Sequence, residues 1–82
     1  MQRLSLTAKL PSYEVAAEFS DVIRAIDSFA MVRIAEGINC DAQWMLRADF
    51  VLRNVNIRFR DLEELFAHAV LSLGGVAFLR ND

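Results

Sequence analysis

The amino-acid sequence predicts an α+β fold in which a four-stranded antiparallel sheet carries two helices on one face. Strict alternation of apolar and polar residues, typical of a half-buried strand, occurs at the start of the chain and again near its middle. Two other stretches place apolar residues at helical spacing. The hydrophobic pattern also repeats at an offset of 47 residues, so that Val15 aligns with Leu62 and Phe29 with Val76. Two strand–helix–strand units account for all three observations.

The first half of the chain is predicted to form a strand, a helix and a second strand. Apolar and polar residues alternate over 3–10. A helix over about 13–27 follows, opened either by Ser12 as its N-cap or by Pro11 in its first turn. Its polar face is expected to be solvated, and its apolar residues form one stripe: Val15, Phe19, Val22, Ile23 and Ile26. The second strand covers about 29–36.

A loop and a long strand are predicted for the middle of the chain. The loop begins at Gly37, and the alternating pattern resumes at Trp44. Near Asn54 the apolar positions of this pattern shift by one residue. In a regular strand this shift would turn every later side chain to the wrong face, so the chain must contain an irregularity there. A β-bulge at Arg53 and Asn54 is such an irregularity, and we favour it. The alternative is a tight turn with a separate strand at 55–60, but a two-residue hairpin would favour a glycine that is missing here.

A second helix and a last strand are predicted for the end of the chain. Asp61 and Glu64 have the spacing of a helix start signal, which predicts a helix over about 61–73. Gly74 and Gly75 follow, at the position where helices commonly end in a left-handed conformation. The last strand is predicted at 76–80.

Length and element order predict one domain covering residues 1–82. Its pseudo-repeat halves lie at about 1–36 and 44–82. The order βαββαβ, made of two split βαβ units, usually closes into a four-stranded antiparallel sheet with both helices on one face. In this respect the sequence resembles the ferredoxin-like plait.

Composition and charge limit the classes of function open to the chain. The hydrophobic fraction is 55% and the mean hydropathy is +0.27, whereas an average globular chain is roughly 45–50% apolar. A domain this small has little interior, so we expect part of the excess to be buried against a partner. We expect that partner to be a second copy of the same chain, which would form a homodimer. A larger protein is expected as a further partner. The net charge of −2 disfavours binding to nucleic acid.

The sequence also predicts a cytoplasmic location. Charged residues interrupt every apolar run well short of the ~18 residues that a membrane span requires. The alternating first ten positions lack the apolar core of a signal peptide. The single cysteine, Cys40, cannot form an internal disulfide and fits a reducing compartment.

The face of the sheet opposite the helices is the predicted interface. Alternation assigns Ala30, Val32 and Ile34 to the helix side, and their neighbours therefore point away from the helices. We expect an aromatic and aliphatic patch ringed by arginine and lysine. Trp44 is interpreted either as a core residue or as an interface anchor. The candidate interface residues are Phe29, Met31, Arg33, Trp44, Met45, Arg47, Val76, Phe78 and Arg80.

Three classes of function are compatible with this interface. The first is a small non-enzymatic protein–protein interaction module with a regulatory or inhibitory role, dimerising through the open sheet face or a strand edge. The second is a small-molecule-sensing regulatory domain. The third is single-stranded nucleic-acid binding, with Phe29 and Phe78 stacking on bases and Arg33, Arg47 and Arg80 contacting phosphates.

No catalytic, metal or cofactor site is predicted. His68 and Glu64 are spaced one helical turn apart, but a zinc site needs at least three protein ligands. Cys40 has no base near it in the sequence, and Asp41 beside it disfavours the reactive thiolate. The chain is therefore predicted not to be an enzyme.

Overall fold

A computed structural model describes residues 3–37, 43–51 and 58–78, which form an α+β domain. Six elements follow one another in the predicted order βαββαβ. They are β1 (Leu4–Leu10), α1 (Tyr13–Ile26), β2 (Met31–Glu36), β3 (Trp44–Phe50), α2 (Phe59–Ser72) and β4 (Val76–Phe78). Each predicted half thus contributes one helix between two strands.

The four strands form one antiparallel sheet in the order β2-β3-β1-β4. β1 and β3 are the central strands, and β2 and β4 lie at the edges. Leu6 is the register partner of Ala48 between the two central strands. Directly opposed residues point to the same face of a sheet, so this register fixes which residues share each face.

Both helices cover the same face of the sheet and bury the core against it. On this face Leu4 and Trp44 are partly buried, and the other alternate residues of the central strands are buried: Leu6, Ala8 and Leu10 from β1, and Leu46, Ala48 and Phe50 from β3. The helices contribute Ala16, Phe19 and Ile23 from α1, and Leu62, Phe66 and Val70 from α2. The rings of Phe19 and Phe66 lie 5.3 Å apart between centroids. The prediction that both helices share one face is confirmed.

The start of α1 agrees with the sequence prediction. Ser12 has an extended backbone and is the N-cap, and its hydroxyl oxygen accepts a hydrogen bond from the Val15 N–H at 3.2 Å. This bond satisfies one of the backbone donors that every helix start leaves without an intrahelical partner. Glu14 in the first turn and Arg24 in the last turn complement the helix dipole.

The start of α2 differs from the prediction. The helix begins at Phe59, so residues 59–60 are helical and the alternative strand at 55–60 is wrong for these two positions. Asp61 is not the N-cap: that position is held by Arg58, which makes no capping bond through its side chain. Instead the Arg58 Nε donates to the Asp61 Oδ2 at 3.2 Å. The bulge predicted at Arg53 and Asn54 lies outside the described residues.

The end of α2 confirms the predicted left-handed cap. Gly74 has φ +81°. The Gly74 N–H donates to the Leu71 carbonyl at 3.0 Å, and the Gly75 N–H donates to the Val70 carbonyl at 2.9 Å. This pair of bonds is the Schellman arrangement, which satisfies carbonyls that the helix end would leave free. It turns the chain directly into β4.

The two helices have the same modest length. α1 and α2 each contain 14 residues, and both carry charged residues. Within the described ranges, no helix is long and apolar enough to cross a membrane.

Candidate interaction surface

The side of the sheet away from the helices forms a surface that we call the open face. Its members are the strand residues that alternate with the buried ones. They lie in three rows across the sheet: Met31, Asp49 and Ser5; then Arg33, Arg47, Thr7 and Phe78; then Ala35, Met45, Lys9 and Val76. No helix packs on this face in the part of the chain that the structure describes.

The structure brings most of the candidate interface residues together on the open face. Six of them lie in its rows: Met31, Arg33, Met45, Arg47, Val76 and Phe78. Phe29 lies in the turn before β2 and is 58% exposed. Trp44 lies on the opposite, helix-covered side, where its ring meets that of Tyr13 edge-on at 5.2 Å between centroids. Arg80 lies outside the described residues.

The predicted aromatic patch ringed by cations does not form, and this expectation is wrong. The centre of the open face is polar and charged, because β1 and β3 are the central strands and carry Ser5, Thr7, Lys9, Arg47 and Asp49 there. Apart from Met45 on β3, the large apolar side chains of the open face belong to the edge strands: Met31, Val76 and Phe78. Phe29 borders β2 and Phe78 lies on β4, which are three strand spacings, or about 14 Å, apart.

A concavity lies on the open face beside β2, and we call it the arginine concavity. Its volume is about 370 Å³. The polar side chains that line it belong to Arg3, Ser5, Arg33, Arg47 and Asp49, and the apolar ones to Phe29, Met31, Phe50 and Val51. It thus combines three guanidinium groups with an exposed aromatic ring and a methionine.

Asp49 organises the charges on the floor of the arginine concavity. Its Oδ1 accepts hydrogen bonds from the Ser5 hydroxyl and from the Arg47 Nε, the latter at 3.2 Å. The Ser5 hydrogen bond is the main cause that lowers the pKa of Asp49 below its ordinary value, and Arg47 and Arg33 lower it further against the opposing effect of burial. Asp49 is therefore a carboxylate at neutral pH.

Asp27 holds one rim of the arginine concavity in place. Its side chain is buried, and its two carboxylate oxygens accept hydrogen bonds from the Phe29 N–H at 3.0 Å and the Val51 N–H at 2.9 Å. These bonds tie the turn after α1 to the end of β3. Sequence reasoning missed this role. The available signal was an acidic residue at the C-terminal end of a helix, where the helix dipole disfavours negative charge.

A second apolar feature, also missed from the sequence, is a groove between the helices. No Cα atom of α1 lies within 8 Å of a Cα atom of α2. The groove between them has a volume of about 160 Å³. Val22 and Ile26, which belong to the predicted stripe of α1, are exposed beside it, as is Leu65 of α2. The stripe is thus wider than the surface that α1 buries.

Residues considered for chemistry do not converge in the described ranges. No group of three or more His, Cys, Asp or Glu residues there is placed to hold a metal ion. His68 and Glu64 are both exposed on α2. Cys40 lies outside the described residues.

Comparisons with known proteins do not indicate a function, so the function is inferred from the open face and its concavity. No protein-family model, curated protein or solved structure matches the chain.

Proposed function

We propose that this chain is a small, non-enzymatic protein–protein interaction module with a regulatory or inhibitory role in the cytoplasm. In this proposal it forms a homodimer through the edge strand β2 and uses its open face to bind a further protein. The observation that supports it best is the exposure of Phe29 (58%) and Met31 (56%), which line the same concavity at the start of β2. Large apolar side chains grouped at a surface are typical of protein-binding sites.

The edge of β2 supports dimerisation. Within the described residues, β2 pairs only with β3, so its other side presents backbone N–H and C=O groups to solvent. β2 has six residues and no proline, which would interrupt pairing. A second copy that adds its own β2 in antiparallel orientation satisfies these groups and extends the sheet across a two-fold axis.

Charge favours the β2 edge over the open face as the dimer contact. Two open faces packed together would bring two positively charged surfaces into contact, each carrying Lys9, Arg33 and Arg47. Like charges placed opposite each other in an interface cost several kcal/mol. The β2 edge avoids this contact because its pairing is made by the backbone.

Sedimentation equilibrium over a concentration series tests the dimer. We expect a monomer–dimer equilibrium with a dissociation constant in the micromolar range, and circular dichroism of the same samples checks that the protein is folded. A folded protein that remains monomeric at high micromolar concentration would contradict the proposal.

The two alternatives rest on particular features of the open face. The arginine concavity, at about 370 Å³, has the size of a small-molecule site, which supports ligand sensing. The cations of the open face support binding of single-stranded nucleic acid, although Phe29 and Phe78 lie too far apart to stack on neighbouring bases. Thermal unfolding with a metabolite panel separates sensing from the main proposal, since a ligand that raises the melting temperature would favour sensing.

We infer further that the fold is a ferredoxin-like plait. The element order βαββαβ supports this inference, as does the position of β1 between β3 and β4. The strands of the two halves are therefore interleaved in one sheet. An experimental structure tests the inference: a different order of strands, or a helix on the open face, would contradict it.

A further inference from the structure

We propose that the arginine concavity binds carboxylate groups of an acidic segment in a partner protein, with Arg33 and Arg47 as the binding residues. This inference rests on the proposed function, because it names the chemistry of the partner that the open face accepts. It does not use the backbone edge of β2 that pairs in the proposed dimer, although Phe29 and Met31 border both surfaces.

The first argument is the uneven distribution of charge. The open face and its concavity carry four cations, Arg3, Lys9, Arg33 and Arg47, and one anion, Asp49, a net charge of +3. The helices carry two arginines and six acidic residues, a net charge of −4: Arg24 and Arg60 against Glu14, Glu18, Asp21, Asp61, Glu63 and Glu64. A chain with a net charge of −2 thus presents one positive surface. Such a surface attracts an acidic partner.

The second argument is the cross-strand pair of Arg33 and Arg47. These residues are direct register partners on the same face, an arrangement in which like charges destabilise a sheet. Asp49 is paired with Arg47, whereas Arg33 has no ion pair among the described residues. A carboxylate bound between the two guanidinium groups removes this repulsion. Guanidinium groups bind carboxylates through two parallel hydrogen bonds, which adds specificity.

The third argument concerns the apolar rim. Phe29 and Met31 line the same concavity as the arginines and are largely exposed. A partner that fills the concavity therefore needs an apolar side chain next to its carboxylate. An extended peptide in which glutamate and leucine are neighbours provides both.

Two features favour an acidic protein segment over nucleic acid. Asp49 lies among the cations of the concavity, where its carboxylate repels a phosphate backbone that passes over it. Only Phe29 lines the concavity as an exposed aromatic side chain, whereas nucleic-acid grooves stack successive bases on several rings. A single carboxylate, unlike a continuous phosphate backbone, can bind between Arg33 and Arg47 without passing over Asp49.

Fluorescence anisotropy with a labelled peptide of neighbouring glutamate and leucine residues tests the site. We expect binding that weakens as salt is added, and no binding of the same peptide with glutamine in place of glutamate. The Arg33→Gln variant should lose affinity by about tenfold or more, as expected for one charge-assisted hydrogen bond. The matched control is Arg60→Gln, which removes an exposed arginine from α2 and should leave affinity unchanged.

Folding and assembly are measured on the same samples. Arg33→Gln relieves the repulsion with Arg47, so its melting temperature should equal or exceed that of the wild type, and lost binding then reflects the site itself. Equal losses in the Arg33 and Arg60 variants, or equal binding of the glutamine peptide, would overturn the proposal. So would tighter binding of a labelled oligothymidylate that depends on Arg33. Sedimentation of the same variants reports the dimer separately, so failure of the acidic site and failure of the proposed function are distinguishable.

Discussion

Asp49 shows at the residue scale how one carboxylate sets the charge of the open face. Ser5 and Arg47 both donate to the same oxygen, and Arg33 lies close enough to act through its charge. The carboxylate thereby neutralises one arginine of the cross-strand pair and leaves the other for a ligand. The pairing depends on Asp49 being ionised, which gives it a defined dependence on pH.

The substitution Asp49→Asn should reduce stability at neutral pH and change its dependence on acid. The folded-state pKa of Asp49 lies below the ordinary value of 3.8, chiefly because of the Ser5 hydrogen bond. Its contribution is therefore complete above this unfolded-state value and is lost as the pH falls through the lower, folded-state pKa. Because the group is partly exposed, we expect a difference of at most about 1 kcal/mol. Urea unfolding of both proteins from neutral to acid pH measures it, and a difference that grows on acidification would contradict the assignment.

Asp27 makes a larger contribution, because it is buried and accepts two backbone hydrogen bonds. Asp27→Ala leaves the N–H groups of Phe29 and Val51 without these bonds. We expect a loss of about 2–3 kcal/mol in the free energy of unfolding, as is usual for hydrogen bonds to charged groups. Chemical denaturation measures it, with Asp21→Ala on the exposed side of α1 as the control. Equal effects of the two substitutions would show that Asp27 does not hold the turn to β3.

At the scale of elements, the junction between α2 and β4 needs two glycines for different reasons. Gly74 adopts a positive φ of +81°, which other residues adopt only at a cost. Gly75 lies against β1: a Cβ atom there would be 2.3 Å from the Lys9 carbonyl oxygen and 2.8 Å from the Leu10 Cδ2. The first glycine permits the turn, and the second permits the close approach of two backbones.

Alanine substitutions should separate these two roles. Gly74→Ala should cost about 1–2 kcal/mol for the left-handed conformation, since the space around it is open. Gly75→Ala should cost more, about 2–3 kcal/mol, because β4 must move away from the backbone of β1 to relieve the overlap. Thermal and urea unfolding of the two variants compare them. A Gly75→Ala protein as stable as Gly74→Ala would contradict the close approach of Gly75 to β1.

The ends of the two helices show which helix boundaries the sequence predicts correctly and which it does not. Ser12 and the Gly74–Gly75 pair give the start of α1 and the end of α2, because each satisfies backbone groups through local bonds. The start of α2 was predicted two residues late, at Asp61. There the local signal is misleading, because Asp61 pairs with Arg58 through its side chain instead of capping the helix.

At the scale of the whole molecule, the dimer proposal makes a prediction about the two edges of the sheet. Met31→Lys places a cation at the β2 edge, where lysine is a common natural protection against strand pairing. It should shift the monomer–dimer equilibrium towards monomer by about tenfold or more, the effect of roughly 1.4 kcal/mol. Val76→Lys is the matched control, since Val76 is similarly exposed on the opposite edge strand β4. Sedimentation equilibrium compares the two variants, and equal effects would place the contact elsewhere.

The candidate interface shows which side-chain positions alternation in the sequence predicts. Alternation assigned six of its described residues to the open face correctly, including Met31, Arg33 and Phe78. Trp44, which the sequence allows either as a core residue or as an interface anchor, packs against Tyr13 on the helix side. Whether these residues bind a partner stays a prediction.

Sequence patterns alone predict the order of the elements and the face of the sheet on which the strand residues lie. Both follow from the local periods of the backbone, two residues in a strand and 3.6 in a helix. The three-dimensional structure is needed to show that Arg33 opposes Arg47 and that Asp27 reaches Val51. These contacts depend on which distant segments pair and at what register. A periodic pattern in the sequence indicates on which face of a strand each residue lies, but it does not indicate which strands lie beside that strand.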